Sequence, residues 1–207
     1  MRQFIDISQI YTSNLDSKNY FIERKTMTQT EIDFWKNNPD TGMIEFANSI
    51  QLGKEYVVLY HKQTCCPMMS NLETEIATNQ KFIDNAKGDV LIFGLGLGLI
   101  IFPLLDDDSI TSIDVVEIDS DLIQTVLPII KSKDINNKLK VINSDMSVFH
   151  TFQNHRLYDT IYFDIWFNPL QAEEEAQQFY DLYKSWQKPN AYVDVWTNKT
   201  TIHKFIK

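Results

Sequence analysis

The segment Gly88-Asp89-Val90-Leu91-Ile92-Phe93-Gly94-Leu95-Gly96-Leu97-Gly98 constrains the fold more than any other part of this chain. Apolar residues of β type run unbroken from Val90 to Phe93, stop at glycines in alternating positions, and give way to a helix-like apolar run. A strand that is apolar at every position is one covered on both faces, as in a parallel sheet. Glycines directly after it allow a sharp turn and let a ligand approach the backbone with no β-carbon in between. A second apolar run, Ile113 to Val116, lies further on and ends in Glu117-Ile118-Asp119. An acid at the tip of the strand beside a glycine turn is where a bound ribose presents its hydroxyls. The pair predicts a nucleoside-binding α/β domain. A glycine turn alone would not, because such turns also arise for purely conformational reasons.

The rest of the chain divides into two stretches of unequal clarity. Residues 1–68 are polar and aromatic without a single strong period and are read as an N-terminal extension. Within it, Thr28-Gln29-Thr30-Glu31 has the form of a helix start carrying Ile32, Phe34 and Trp35, and Pro39-Asp40-Thr41-Gly42 reads as a turn. Glu55 to His61 is a strand by its β-branched and aromatic content. Residues 69–207 are regular. Ser70-Asn71-Leu72-Glu73 has the spacing of a capping box, and Leu72, Ile76 and Ile83 follow at helical intervals up to about Ala86. After the strand at Gly88, further strands are expected at Ser112–Glu117, Leu139–Asn143, Thr160–Asp164 and Ala191–Trp196. Helices are expected at Leu97–Leu105, Asp121–Lys131, Met146–Phe149 and Ala172–Trp186, with Pro103 and Pro128 as kinks or early stops. This alternation implies right-handed crossovers and a mostly parallel sheet.

Composition narrows the function classes. A 43% apolar and 23% charged content over 207 residues is that of a globular domain with a real core. A net charge of −9 argues against broad, nonspecific binding to nucleic-acid phosphates. No apolar stretch approaches bilayer length, Leu97 to Leu105 being far too short, and Met1 to Asp6 lacks the apolar core of a signal peptide. No membrane association is therefore expected, and cytoplasmic is the default location. Cys65 and Cys66 are adjacent and form no cross-linking framework, which leaves their role open. His61, His150, His155 and His203 show no metal-ligand spacing, so no metal is expected.

Each of the first four strands of residues 69–207 ends at a residue suited to ligand binding: Gly94-Leu95-Gly96-Leu97-Gly98, then Glu117 and Asp119, then Asp145, then Asp164. Ligands of open α/β sheets sit outside the carboxyl ends of the strands, so these positions converge on one crevice. The third glycine of a dinucleotide fingerprint would fall at Leu99, and no Lys-Ser or Lys-Thr phosphate clamp follows the turn. Both absences favour a ligand without a pyrophosphate. From about Met69 to Trp196 the chain resembles the class I S-adenosylmethionine-dependent methyltransferases, and within them the spermidine-synthase-like branch. Met69-Ser70-Asn71 with Glu75 and Asn79, the glycine segment, and Tyr158-Asp159-Thr160-Ile161 leading into Asp164-Ile165-Trp166 carry the likeness.

The resemblance implies a Rossmann-like methyltransferase fold and a cofactor, S-adenosylmethionine, or decarboxylated S-adenosylmethionine if the group moved is aminopropyl. It implies that Gly94, Gly96 and Gly98 pass under the methionine part and ribose, with Glu117 on both ribose hydroxyls and Asp119 beside it. Asp145 would take the adenine amino group, with the Met146 backbone near the ring. Asp164 would meet the methionine ammonium or the acceptor, or else serve only as a cap or turn residue. Glu75 and Asn79 share a helical face that reaches the cofactor or is merely solvated. Trp166 and Phe167 stack on a ligand or pack the core. Polyamine-forming relatives carry a second acid three residues past the strand-four aspartate, where this chain has Phe167. The expected function is thus a methyltransferase acting on a small or unidentified acceptor. The alternatives are an aminopropyltransferase and a non-catalytic nucleoside-binding or partner module. The residues after Trp196 offer no clear candidates for the superfamily's last two strands. A sheet shortened at its C-terminal end leaves an apolar edge, and a homodimer covering it is expected unless the extension folds back over it.

Overall fold

The computed structural model describes residues 2–37, 51–152, 156–166 and 169–196, so the turn expected at Pro39–Gly42 and the position of Phe167 lie outside the described residues. The chain forms two compact units, Ile5–Ala77 and a larger one comprising Met1–Phe4 and Thr78–Lys207.

The smaller unit is an antiparallel meander, in the order β1 (Leu15–Asp16), β2 (Tyr20–Thr26), β3 (Glu55–His61), β4 (Cys66–Ser70). Only β3 was legible as a strand. It is buried on both faces, at Tyr56, Val57, Val58 and Leu59, so its sequence is continuously apolar. β4, which contains Pro67, is an edge strand of this sheet, the place where proline is tolerated. Helix α1 (Gln29–Asn37) opens as its sequence predicts: the Thr28 amide donates to the Glu31 carboxylate at 2.9 Å, and the Glu31 amide returns a bond to the Thr28 hydroxyl at 3.2 Å. Met27, Ile32, Tyr56, Val58 and Leu72 form the core of this unit.

Ser70 and Glu73 do not form the expected capping box. Ser70 ends β4 and its hydroxyl accepts from the Leu72 amide at 3.3 Å, while Glu73 begins helix α2 (Glu73–Asn85) and pairs with Lys54. A local pattern lost here to a strand end and an ion pair from elsewhere in the chain.

In the larger unit five parallel strands lie in the order β7-β6-β5-β8-β9, with β5 (Gly88–Phe93) central. The others are β6 (Ile110–Glu117), β7 (Leu139–Asn143), β8 (Tyr158–Phe163) and β9 (Gln187–Val195). Val90 to Phe93 are fully buried, as a central strand covered on both faces requires. One face of the sheet carries an aromatic core: Phe93 stacks on Phe163 at 5.0 Å between ring centres and leans on Tyr183 at 4.5 Å, and Trp186 packs beside Phe149 at 5.0 Å. On the other face Tyr162 stacks on Phe82 of α2 at 3.9 Å.

Connecting helices are α3 (Phe102–Leu105), α4 (Ser120–Lys131), α5 (Met146–Phe149) and α6 (Pro169–Leu182). The helix expected from Leu97 is shortened to α3. The Gly98 amide bonds back to the Leu95 carbonyl at 3.0 Å and the Ile101 amide to the Gly98 carbonyl at 2.9 Å, so tight turns take up the first residues and Pro103 falls in the first turn, where it is tolerated. Pro128 remains inside α4. The last expected helix, Ala172–Trp186, is α6 followed by a short 3-10 turn at Lys184–Trp186.

Candidate active site at the strand ends

Five strand ends point the same way in a parallel sheet, and the tip of β6 is the best-organised of them. Glu117, the last residue of β6, is buried, and its two carboxylate oxygens are separately engaged. One accepts the Leu95 amide from the glycine turn at 2.9 Å, the other the Asp119 amide at 2.9 Å. Burial pushes the Glu117 carboxyl above its ordinary range, against the pull of these backbone donors. The Ile118 amide also bonds to this carboxylate, so of its roughly four acceptor sites about one is left for a ligand hydroxyl. The turn that supplies Leu95 depends on Gly94. Its φ is +98°, and a β-carbon there would overlap the backbone carbonyl oxygen of Asp164 at the end of β8. Gly96 and Gly98 also have positive φ, +48° and +74°.

Asn143 was not singled out from the sequence, yet it holds this corner. It lies opposite Glu117 in the β6–β7 register, and its side-chain amide donates to the carbonyls of Glu117 at 2.9 Å and Ile118 at 2.8 Å. Its only sequence signal is an amide at the end of an apolar strand next to the acid-bearing one, which is too common to read alone. Ile118 itself is 65% exposed, a flat apolar side chain next to the buried acid.

Asp119 and Asp145 are both helix caps. Asp119 accepts from the Asp121 amide at 2.8 Å and the Leu122 amide at 3.4 Å at the start of α4. Asp145 accepts from the Ser147 amide at 2.7 Å at the start of α5, and its bonds to Ser147 hold its carboxyl below the ordinary range. A carboxylate that caps a helix has about four acceptor sites in all, so a cap and a ligand contact are chemically compatible. Met146 is buried, with its carbonyl taken by the Tyr183 hydroxyl.

Asp164 follows β8, and its amide donates to the Phe93 carbonyl at 2.9 Å, which places it beside the glycine turn. Among the described residues its carboxyl has no hydrogen bond or ion pair, and desolvation lifts its pKa to about 7. The remaining expected positions separate. Asn79 is fully buried and accepts the Tyr162 hydroxyl at 2.8 Å, so it braces the sheet. Glu75 lies in the first turn of α2, in the smaller unit. Trp166 is buried against Phe179, with its indole N–H on Glu175 at 2.8 Å, which makes it a packing residue. Among the described residues no group of three or more His, Cys, Asp or Glu is placed to hold a metal ion, and no helix is long and apolar enough to cross a membrane.

Solved structures similar to this chain include the spermidine synthase of Thermotoga maritima, at 15% identity and a TM-score of 0.45 over 65% of this chain and 49% of that one. The glycopeptide N-methyltransferase MtfA is similar at 16% identity and a TM-score of 0.44, over 57% of this chain and 52% of that one. The C-terminal domain of precorrin-6Y C5,15-methyltransferase from Rhodobacter capsulatus is similar at 12% identity and a TM-score of 0.43, over 58% of this chain and 57% of that one. The chain spans about half the length of the structures it matches. No curated protein sequence matches it. Residues 67–206, more than half of the chain, match the model of the spermine/spermidine synthase domain, and the chain belongs to that family.

Proposed function

We propose that the strand-end crevice of the larger unit binds S-adenosylmethionine and that the protein is a methyltransferase acting on a small acceptor. The observation that carries this reading is the buried Glu117 carboxylate, organised by the Leu95 and Asp119 amides at the glycine turn. It suits a ribose hydroxyl, and exposed Ile118 beside it offers an apolar surface to a purine. Gly94, Gly96 and Gly98 would leave room for the methionine chain. Asp119, Asp145 and the Met146 backbone would complete the cofactor contacts. Asp164 would meet the methionine ammonium or the acceptor.

In methyl transfer the acceptor's lone pair forms a bond to the methyl carbon. The carbon–sulfur bond breaks and its electron pair stays on sulfur, which becomes a neutral thioether. Any proton released by the acceptor nitrogen or oxygen can pass to Asp164, whose pKa near 7 suits a base at neutral pH. Orientation of the reactants supplies much of the remaining effect. The family match favours a second reading, aminopropyl transfer from decarboxylated S-adenosylmethionine, whereas Phe167 in place of a second acid disfavours it.

Calorimetry with S-adenosylhomocysteine is expected to show micromolar binding, and incubation with methyl-labelled cofactor and a mixed acceptor panel should move the methyl group. Transfer of aminopropyl instead would establish the second reading. Cofactor binding without any transfer would establish a non-catalytic module, and no binding by the folded protein would overturn the cofactor assignment.

Asp164 also predicts a pH dependence in the empty protein. Its carboxyl titrates near 3.8 when unfolded and near 7 when folded, so the folded state favours the protonated form. Its contribution to stability is therefore fully present below about pH 4 and is lost as pH rises through about 7. Asp164→Asn should flatten the fall in melting temperature across that window relative to the unmodified protein. An unchanged slope would show that Asp164 is an ordinary exposed carboxylate.

A further inference from the structure

The carboxylate of Glu117 is set in place by backbone, and that backbone is set in place by one side chain. Three amides reach the carboxylate: Leu95 from the glycine turn, and Ile118 and Asp119, the next two residues along the chain. Successive amides aimed at one point form a concave anion site, and here the anion is the protein's own. Burial raises the pKa of Glu117 and the Asp119 charge adds to the rise, while the three amides pull it back. The two peptides after Glu117 lie beyond the end of β6, so the strand ladder alone does not orient them.

Asn143, at the end of the neighbouring strand β7 and opposite Glu117, does orient them. Its side-chain NH2 has two hydrogens and donates both, one to the Glu117 carbonyl at 2.9 Å and one to the Ile118 carbonyl at 2.8 Å. Those carbonyls belong to the same two peptides whose N–H groups are those of Ile118 and Asp119. In a planar trans peptide the C=O and the N–H point in opposite directions. A side chain that draws both oxygens toward β7 therefore turns both hydrogens toward the Glu117 carboxylate. The Glu117 carbonyl is also held by the Ser144 amide at 3.0 Å, so Asn143 matters most for the Ile118–Asp119 peptide.

We propose that Asn143 is a positioning residue for nucleoside binding: it turns the Ile118 and Asp119 amides onto Glu117 and so fixes that carboxylate for a ribose hydroxyl. The inference rests on the cofactor reading above. Asn143 acts through Glu117, so its effect should appear only with a ligand that offers Glu117 a hydroxyl.

Calorimetry with S-adenosylhomocysteine and with its 2′,3′-dideoxy analogue, which lacks both ribose hydroxyls, tests this. Asn143→Ala should bind S-adenosylhomocysteine about tenfold more weakly, the size of one hydrogen bond to a charged group. The same substitution should leave the affinity for the dideoxy analogue unchanged. Asn143→Ser, whose hydroxyl can donate to one of the two carbonyls, should fall between, and it carries the comparison if the alanine protein does not fold. Equal weakening toward both ligands would mean that Asn143 only holds β6 against β7, and it overturns the proposal. So does an unchanged affinity for S-adenosylhomocysteine. A dideoxy analogue that binds the unmodified protein as tightly as S-adenosylhomocysteine removes the ribose from Glu117, and the proposal falls while the cofactor site stands. Failure of S-adenosylhomocysteine to bind the folded protein removes the cofactor reading and the proposal with it.

Discussion

Glu117→Gln is expected to weaken S-adenosylhomocysteine binding by about a hundredfold, from the loss of a charge-assisted hydrogen bond to the ribose. The substitution keeps the side chain's size but not its hydrogen-bonding. Both oxygens of Glu117 face backbone donors, the Leu95 and Asp119 amides, so an amide NH2 must oppose one of them. The glycine turn and the α4 cap are therefore disturbed along with the proposed ribose contact. Glu117→Asp keeps the charge but shortens the reach, and should fall between the two. Calorimetry measures all three proteins. An affinity within threefold of the unmodified protein in Glu117→Gln would remove Glu117 from the site.

Gly94→Ala should lower the melting temperature by about 10 °C, or prevent folding of the larger unit, on the basis of about 3 kcal/mol lost to strain and overlap. Two costs add at this position. A φ of +98° is one an alanine rarely adopts, and the new methyl would overlap the carbonyl oxygen of Asp164, a residue whose own amide is tied to the Phe93 carbonyl. Gly53→Ala separates them, because Gly53 has a φ of +80° with nothing within 4 Å of a β-carbon. It should show conformational strain alone, about 1 kcal/mol. Equal effects at the two positions in thermal denaturation would mean that the close approach of β5 and β8 is not what requires glycine at 94.

The parallel sheet was legible because burial on both faces writes itself into sequence as unbroken apolar runs. Val90 to Phe93 falls where β5 lies, Ile113 to Val116, interrupted only by Asp114, where β6 lies, and the family likeness rests on the same block that matches the spermine/spermidine synthase domain. The smaller unit was not legible. Its residues give one clear strand where four form, since β2 is half-buried along much of its length and β4 begins at Cys66-Pro67. The start of β9 was missed for a similar reason: the strand begins at Gln187, and its first half contains exposed Pro189 and Asn190.

What the sequence determined by itself is the order of strands and helices from Gly88 onward, the glycine turn, and the acids at the strand tips. These are local properties, set by residue type and spacing, and they survive any arrangement of the rest. Only the tertiary structure decided what each acid has left to offer. Glu117, Asp119, Asp145, Asp164 and Asp194 are all carboxylates near strand ends, and nothing in their neighbours along the chain ranks them. Glu117 is bound by amides from two segments, Asp119 and Asp145 cap helices, Asp194 faces Lys81 from α2, and Asp164 is left without a described partner. Desolvation and pairing depend on groups brought together from distant parts of the chain, and they, not residue identity, set a carboxylate's charge and its capacity to bind.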